Sequence, residues 1–121
     1  MYKRRNKYNN VKIEIDGVKF DSKAEYKRFT ELSLFQKVGN ISELKKQVKF
    51  ELQAKFKDNN GNNIRAIHYI ADFTYSEGGK FIVEDLKSKA TAKDKVYILK
   101  KKMFLYKYSE YDFREVIKWK K

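Results

Sequence analysis

The sequence predicts a mixed α/β domain: a small sheet flanked by two helices and preceded by a β-hairpin. Three observations carry this reading. Two stretches, one beginning near Ser22 and one near Ala92, repeat their apolar residues with helical spacing. Between them lie runs that alternate apolar and polar residues. Near the start, Asp16-Gly17 divides one alternating run into two.

Residues 1–10, MYKRRNKYNN, are polar and basic and read as a flexible arm; residues 11–121 read as one domain. In the first run Val11, Ile13 and Ile15 alternate with polar residues, and Val18 and Phe20 continue the pattern after Asp16-Gly17, a two-residue hairpin signal. Ser22 and Glu25 then have the spacing of a capping box, so a helix starts there. Ala24, Phe29, Leu32, Phe35 and Val38 form its expected apolar stripe, and Gly39 stops it. Extended structure follows from Ile41 to Phe56, with Val48, Phe50 and Leu52 alternating. Residues 57–63, KDNNGNN, read as a turn. A second strand spans Ile64 to Tyr75, with Ile67, Tyr69, Ala71, Phe73 and Tyr75 expected on one face. After the Gly78-Gly79 turn, Phe81 to Lys87 is a third strand. The second helix runs from about Ala92 to Tyr108, with Tyr97, Phe104 and Tyr108 as core candidates. A short strand, Asp112 to Lys118, and a basic tail around Trp119 close the chain. A helix, a meander of strands, a crossing helix and one more strand make a mixed sheet covered by helices.

The chain of 121 residues is long enough for one modest core. Its 41% hydrophobic and 16% aromatic residues argue for a globule rather than a disordered segment, despite 37% charged residues. Lys and Arg number 29 against 16 Asp and Glu, a net charge of +13. Such an excess attracts polyanions, and DNA is the first candidate partner because counterion release rewards each lysine that meets a phosphate. There is no cysteine, which excludes disulfides, thiolate catalysis and Cys-type zinc sites. No stretch reaches the length of an apolar membrane span, and no apolar run follows the basic start as a secretory signal requires. A cytoplasmic protein with no membrane partner is expected.

Asp72 and Asp85 break the local rule, since each is an acid inside a strand of β-formers. The short Gly-rich turn between their strands predicts antiparallel pairing, which can bring the two acids together. Asp85 and Lys87 stand two apart and so share a face. Two facing carboxylates repel unless a cation lies between them, and Mg²⁺ or Mn²⁺ is the natural guest for hard oxygen ligands. Such a metal makes bound water more acidic and stabilises charge on a phosphate in displacement; Lys87 beside it is placed to orient the water or steady the phosphate.

These residues resemble a known signature. Ile70-Ala71-Asp72-Phe73 followed by Val83-Glu84-Asp85-Leu86-Lys87 is similar to the D…(D/E)xK pattern of PD-(D/E)xK nucleases. More specifically, the chain resembles a family of small phage proteins described as candidate endonucleases or as proteins of unknown function. The likeness runs from about Asn6 to Val116 through IDGVKFDSKAEYKRF, QVKFEL, IRAIHYIADFTY, VEDLKS and KKKMFLYKY. It implies a restriction-endonuclease-like core of helix, three strands, helix and strand. It also implies Asp72 and Asp85 as metal ligands, Lys87 as the catalytic lysine and Glu25 as an additional acidic ligand. Ala71 stands where the nominal proline of the signature would be. Either Glu84 or Asp85 can be the second ligand: alternation favours Asp85, and a bulge would admit Glu84.

Each residue also has an ordinary explanation. Glu25 is accounted for by the capping box, and a carboxylate turned back to the helix start is not free for metal. Asp72 can end a strand near solvent, and Glu84 and Asp85 can form surface ion pairs. His68, the single histidine, shares a face with Asp72, and Gln47 opens a strand; a base and a polar contact to DNA or metal-bound water are their functional readings, and an ordinary strand residue is the plainer reading of each. Lys3, Arg4 and Arg5 of the arm, with Lys101 or Lys102 on the second helix, are the candidate contacts to the DNA backbone; a solvated lysine face is the plainer reading. The function expected is a Mg²⁺- or Mn²⁺-dependent DNA endonuclease of phage DNA replication, recombination or processing, in the host cytoplasm. The alternative is a non-catalytic DNA-binding or recombination-accessory protein of the same fold. Small nucleases of this kind often dimerise, which makes a homodimer a candidate assembly.

Overall fold

A computed structural model describes residues 13–15, 18–20 and 22–118. The basic arm with Lys3, Arg4 and Arg5, the Asp16-Gly17 pair and Trp119 lie outside the described residues. Two short strands, β1 (Ile13–Ile15) and β2 (Val18–Phe20), pair antiparallel with Ile15 opposite Val18, the register expected around a two-residue turn. Helix α1 (Lys23–Lys37) begins where the sequence placed it. The Ser22 hydroxyl accepts the Glu25 backbone N–H at 3.1 Å. Gly39, at φ +89°, turns the chain out of the helix, a conformation that suits glycine because it has no Cβ.

A four-stranded sheet follows, made of β3 (Ser42–Gln53), β6 (Ile67–Glu77), β7 (Lys80–Ser88) and β8 (Asp112–Lys118), in that spatial order. The first three strands are antiparallel to their neighbours, and β8 lies parallel to β7. Between β3 and β6 the chain makes a separate two-stranded hairpin, β4 (Phe56–Lys57) and β5 (Asn63–Ile64). The expected single strand from Ile64 to Tyr75 is thus broken after Ile64. Helix α2 (Lys95–Lys107) crosses from β7 to β8 after a 3-10 turn at Thr91–Lys93, and the Asp94 carboxylate caps it at the Tyr97 N–H, 3.1 Å away. No helix of the described residues is long and apolar enough to cross a membrane.

The core has two halves on opposite faces of the sheet. Leu32 and Phe29 of α1 pack with Ile41, Phe73, Tyr75 and Ile82. Tyr97 and Phe104 of α2 pack with Phe50, Leu52, Tyr69, Ala71 and Val83. Ile82 and Val83 are consecutive on β7 and face different helices, as a strand requires. Strand β6 departs from the expectation. Tyr69 and Ala71 belong to the α2 half, Phe73 and Tyr75 to the α1 half, so strict alternation slips at Asp72. Phe35 and Val38, expected on the buried stripe of α1, are exposed, and Phe29 and Leu32 make the helix's contact with the core.

Candidate functional site

The slip at Asp72 coincides with two failures of regular pairing. The β6–β7 ladder begins at Glu77 and Lys80 and ends at Phe73 and Glu84. One rung further would set Asp72 opposite Asp85, and there the strands part. Across the sheet, Val48 pairs with Ala71 and Lys46 with Phe73, but the rung between them, Gln47 with Asp72, is missing from the ladder. Gln47 has φ +54°, a left-handed conformation that costs a non-glycine residue about 1–3 kcal/mol. Both neighbours of β6 therefore release it at the same residue.

The released backbone is repaired by side chains. Asp72 Oδ2 accepts the Leu86 N–H at 2.8 Å, and Oδ1 lies 3.5 Å from Gln47 Nε2. The same Gln47 amide donates to Glu25 Oε1 at 3.0 Å. Asp85 is fully buried. The Tyr69 hydroxyl donates to its Oδ2. Its Oδ1 has no hydrogen-bond partner among the described residues; the Lys87 ammonium approaches it at 3.2 Å as an ion pair. Lys87 also lies 4.8 Å from the centre of the Tyr97 ring, a cation–π contact. Burial first, then hydrogen bonding and like charge from Asp72, push the Asp85 carboxyl up to about 8; Lys87 and Tyr69 pull the other way. The Tyr69 hydroxyl is pushed well above the usual phenol range, first by burial and next by Asp85.

Asp72, Asp85 and Lys87 are thus brought together, and Glu25 joins them through Gln47. Glu25 is buried, with its carboxylate engaged by Gln47, while its N–H serves the cap. Capping and site geometry coexist, because the backbone performs one task and the side chain the other. Glu84 points the other way. Arg28 of α1 grips it with Nε at 2.6 Å and Nη2 at 2.9 Å, and the Tyr75 hydroxyl donates to it at 2.7 Å. Of the two acids left open by the sequence, Asp85 stands in the site and Glu84 is committed elsewhere. Lys101 pairs with Glu115 at 3.1 Å, and Glu115 also receives the Tyr97 hydroxyl. Lys102 is exposed. His68 sits opposite Glu51 in the β3–β6 ladder.

A family described as "Protein of unknown function (DUF1064)" matches residues 5–121. The chain belongs to the DUF1064 family. No curated protein and no solved structure matches it significantly. For this DUF1064 chain the chemistry therefore rests on the residues themselves. Among the described residues no group of three or more His, Asp or Glu side chains is arranged to hold a metal ion. What could hold one is the Asp72–Asp85 pair, with Glu25 bridged to Asp72 by the Gln47 amide.

Sequence reasoning treated Gln47 as an edge residue and Tyr69 as plain core. The signal for Tyr69 was present: a tyrosine on a buried strand face needs a partner for its hydroxyl. Nothing in the sequence marks Gln47, since a left-handed glutamine has no composition signature.

Proposed function

We propose that the chain is a divalent-metal-dependent endonuclease that hydrolyses DNA phosphodiester bonds, with a restriction-endonuclease-like arrangement of its elements. The observation that carries this reading is the buried Asp85 carboxylate, which faces Asp72 and leaves one oxygen without a hydrogen bond. Burial of an acid against a second acid is costly unless a proton or a cation relieves it. The donors fit Mg²⁺ or Mn²⁺: two carboxylates supply hard oxygens, and Mg²⁺ is commonly held by one or two carboxylates while keeping several waters. When bound, the ion supplies Lewis-acid polarisation of the phosphate and a more acidic water.

The chain's own residues do the rest. Asp72 and Asp85 hold the ion. The Leu86 N–H and the Gln47 amide fix the Asp72 carboxylate, and Gln47 ties Glu25 to the same group. Lys87, steadied by Asp85 and the Tyr97 ring, places a positive charge where negative charge grows on the phosphate. The net charge of +13 supports DNA as the polyanion. On this reading the protein works on phage DNA in the host cytoplasm, and a homodimer would reach both strands.

A second reading, a non-catalytic DNA-binding protein of the same fold, is favoured by the lack of a three-acid cluster among the described residues. A cleavage assay separates the two. Linear, nicked, flapped and four-way DNA would be incubated with Mg²⁺ or Mn²⁺ and wild type, Asp72→Ala or Lys87→Ala. The nuclease reading expects metal-dependent products from wild type alone. Equal activity in all three proteins would identify a contaminant, and no product from wild type on any substrate would reject the enzyme.

A further inference from the structure

The β4–β5 hairpin carries chemistry that the site does not use. It projects between β3 and β6, the two strands that present Gln47 and Asp72. Lys55, Lys57 and Arg65 are exposed, and none of the three forms an ion pair among the described residues. Phe56 stands between the two lysines with 48% of its surface exposed. With Asn63 and Ile64, these residues line an open cavity of about 440 Å³. The only acid of the hairpin, Asp58, faces inward to the turn. Its carboxylate accepts the Asn60 and Asn62 N–H groups at 2.9 Å and the Asn62 amide at 3.1 Å, and these bonds lower its pKa. The acid thus shapes the turn, and the three cations are left to face solvent.

We infer that this hairpin is a DNA-gripping element, in which Lys55, Lys57 and Arg65 take backbone phosphates and Phe56 stacks on an unpaired base. An exposed aromatic set among cations is the arrangement that binds nucleic-acid strands, since every base offers a π-face and every linkage a charge. Lys49 and Ile70, which pair across β3 and β6 between the hairpin and the level of Gln47 and Asp72, are both exposed. From Gln47 to Gln53, β3 advances about 20 Å at ~3.3 Å per residue. At ~3.4 Å per base pair, a duplex laid along these strands reaches the hairpin about six base pairs from a phosphate at the Asp72–Asp85 notch. The favoured ligand is therefore DNA that is paired at the notch and unpaired near the hairpin.

The inference rests on the DNA-binding part of the proposed function and is independent of cleavage, so the test is a binding titration in chelator. Fluorescently labelled duplex with a single-stranded overhang is titrated over a salt series. The Lys55→Gln/Lys57→Gln/Arg65→Gln variant is expected to bind about ten-fold or more weaker, with the slope of log K against log salt reduced by about 2–3, at ~0.9 per lost phosphate contact. The Lys55→Arg/Lys57→Arg/Arg65→Lys variant keeps the wild-type slope and controls for folding. A second control, Lys37→Gln/Lys80→Gln/Lys107→Gln, removes equal charge elsewhere and is expected to change the slope by less than about 1. Phe56→Ala is expected to weaken binding of the overhang substrate by about 5-fold or more, the lower end of base stacking, and to leave blunt duplex unchanged. An unaltered slope in the first variant, or an equal loss in the second control, overturns the inference. Equal loss by Phe56→Ala on both substrates overturns the stacking role. Wild type that binds DNA and loses it on hairpin mutation, yet never cleaves, supports the inference and rejects the nuclease; wild type that binds no DNA rejects both.

Discussion

On the α1 side of β7, the Glu84 carboxylate receives two hydrogen bonds from Arg28 and one from Tyr75. One residue along the same strand, on the α2 side, Asp85 is equally buried but faces a second acid and keeps one oxygen without a hydrogen bond. The Arg28 guanidinium is held well above its usual range, chiefly by its bond to Glu84. Asp85 instead is pushed up toward neutrality by burial and Asp72. Two adjacent acids thus show two ways a fold treats a buried charge: full compensation, which locks strand to helix, and partial compensation, in which Lys87 alone faces the oxygen that lacks a hydrogen bond.

The comparison can be broken most directly by pH. Asp85 titrates near 8 when folded and near 3.8 when unfolded. Between those values the folded state holds a proton that the unfolded state has released. The contribution of Asp85 to stability without metal is therefore greatest below about pH 4 and is lost as pH rises toward 8, by up to about 6 kcal/mol. Denaturant midpoints measured in chelator across that range should show this fall. Asp85→Asn should flatten it, and a slope unchanged in that variant would sink the account of the site. Next in size is the other acid. Arg28→Met leaves Glu84 buried without its partner and should cost about 3–5 kcal/mol of unfolding free energy; Arg28→Met/Glu84→Leu should recover much of the loss. A single substitution as costly as the pair would show that Arg28 acts through something other than Glu84.

Smaller effects sharpen the contrast. Lys87→Ala should lower metal-dependent cleavage about 10²–10³-fold, the range for removing one group that stabilises transition-state charge. The Lys87 side chain is only 18% exposed and pairs with Asp85, so melting temperature is measured beside cleavage: lost cleavage with the fold retained supports the catalytic role, and joint collapse of both would mark Lys87 as structural. Tyr75→Phe, which removes one donor from Glu84, should cost only about 1–2 kcal/mol, because Arg28 remains.

Much of this was legible in the residues. Ser22 and Glu25 announced the first helix, the Gly78-Gly79 pair announced the β6–β7 hairpin, and Asp85 with Lys87 on one face followed from the period of a strand. The core tyrosine and phenylalanine of α2, Tyr97 and Phe104, were readable from helical spacing. What could not be read depends on conformation or on distant partners. The left-handed Gln47 has no local signature, so the slip that divides Tyr69 and Ala71 from Phe73 and Tyr75 was invisible. Arg28 looks like any surface cation of an amphipathic helix until Glu84 is set beneath it. Phe35 and Val38 fit the helical stripe, but only the structure shows that the core meets it at Phe29 and Leu32. Residues 57–63 read as a turn because composition reports flexibility and not the strand pair that brackets it.

One consequence follows from the parting of β6 and β7 beyond Glu84. Strand β7 stays laced to β8 as far as Ser88, so the sheet has an internal slit whose lips are joined by the Tyr69 hydroxyl on Asp85 and by one backbone stitch, the Asp72 carboxylate on the Leu86 N–H. Whatever draws electron density from that carboxylate also slackens the stitch. On the proposed reading, loading of the slit and its width would be mechanically linked, since the acid offered to a guest also sets how far the door stands ajar.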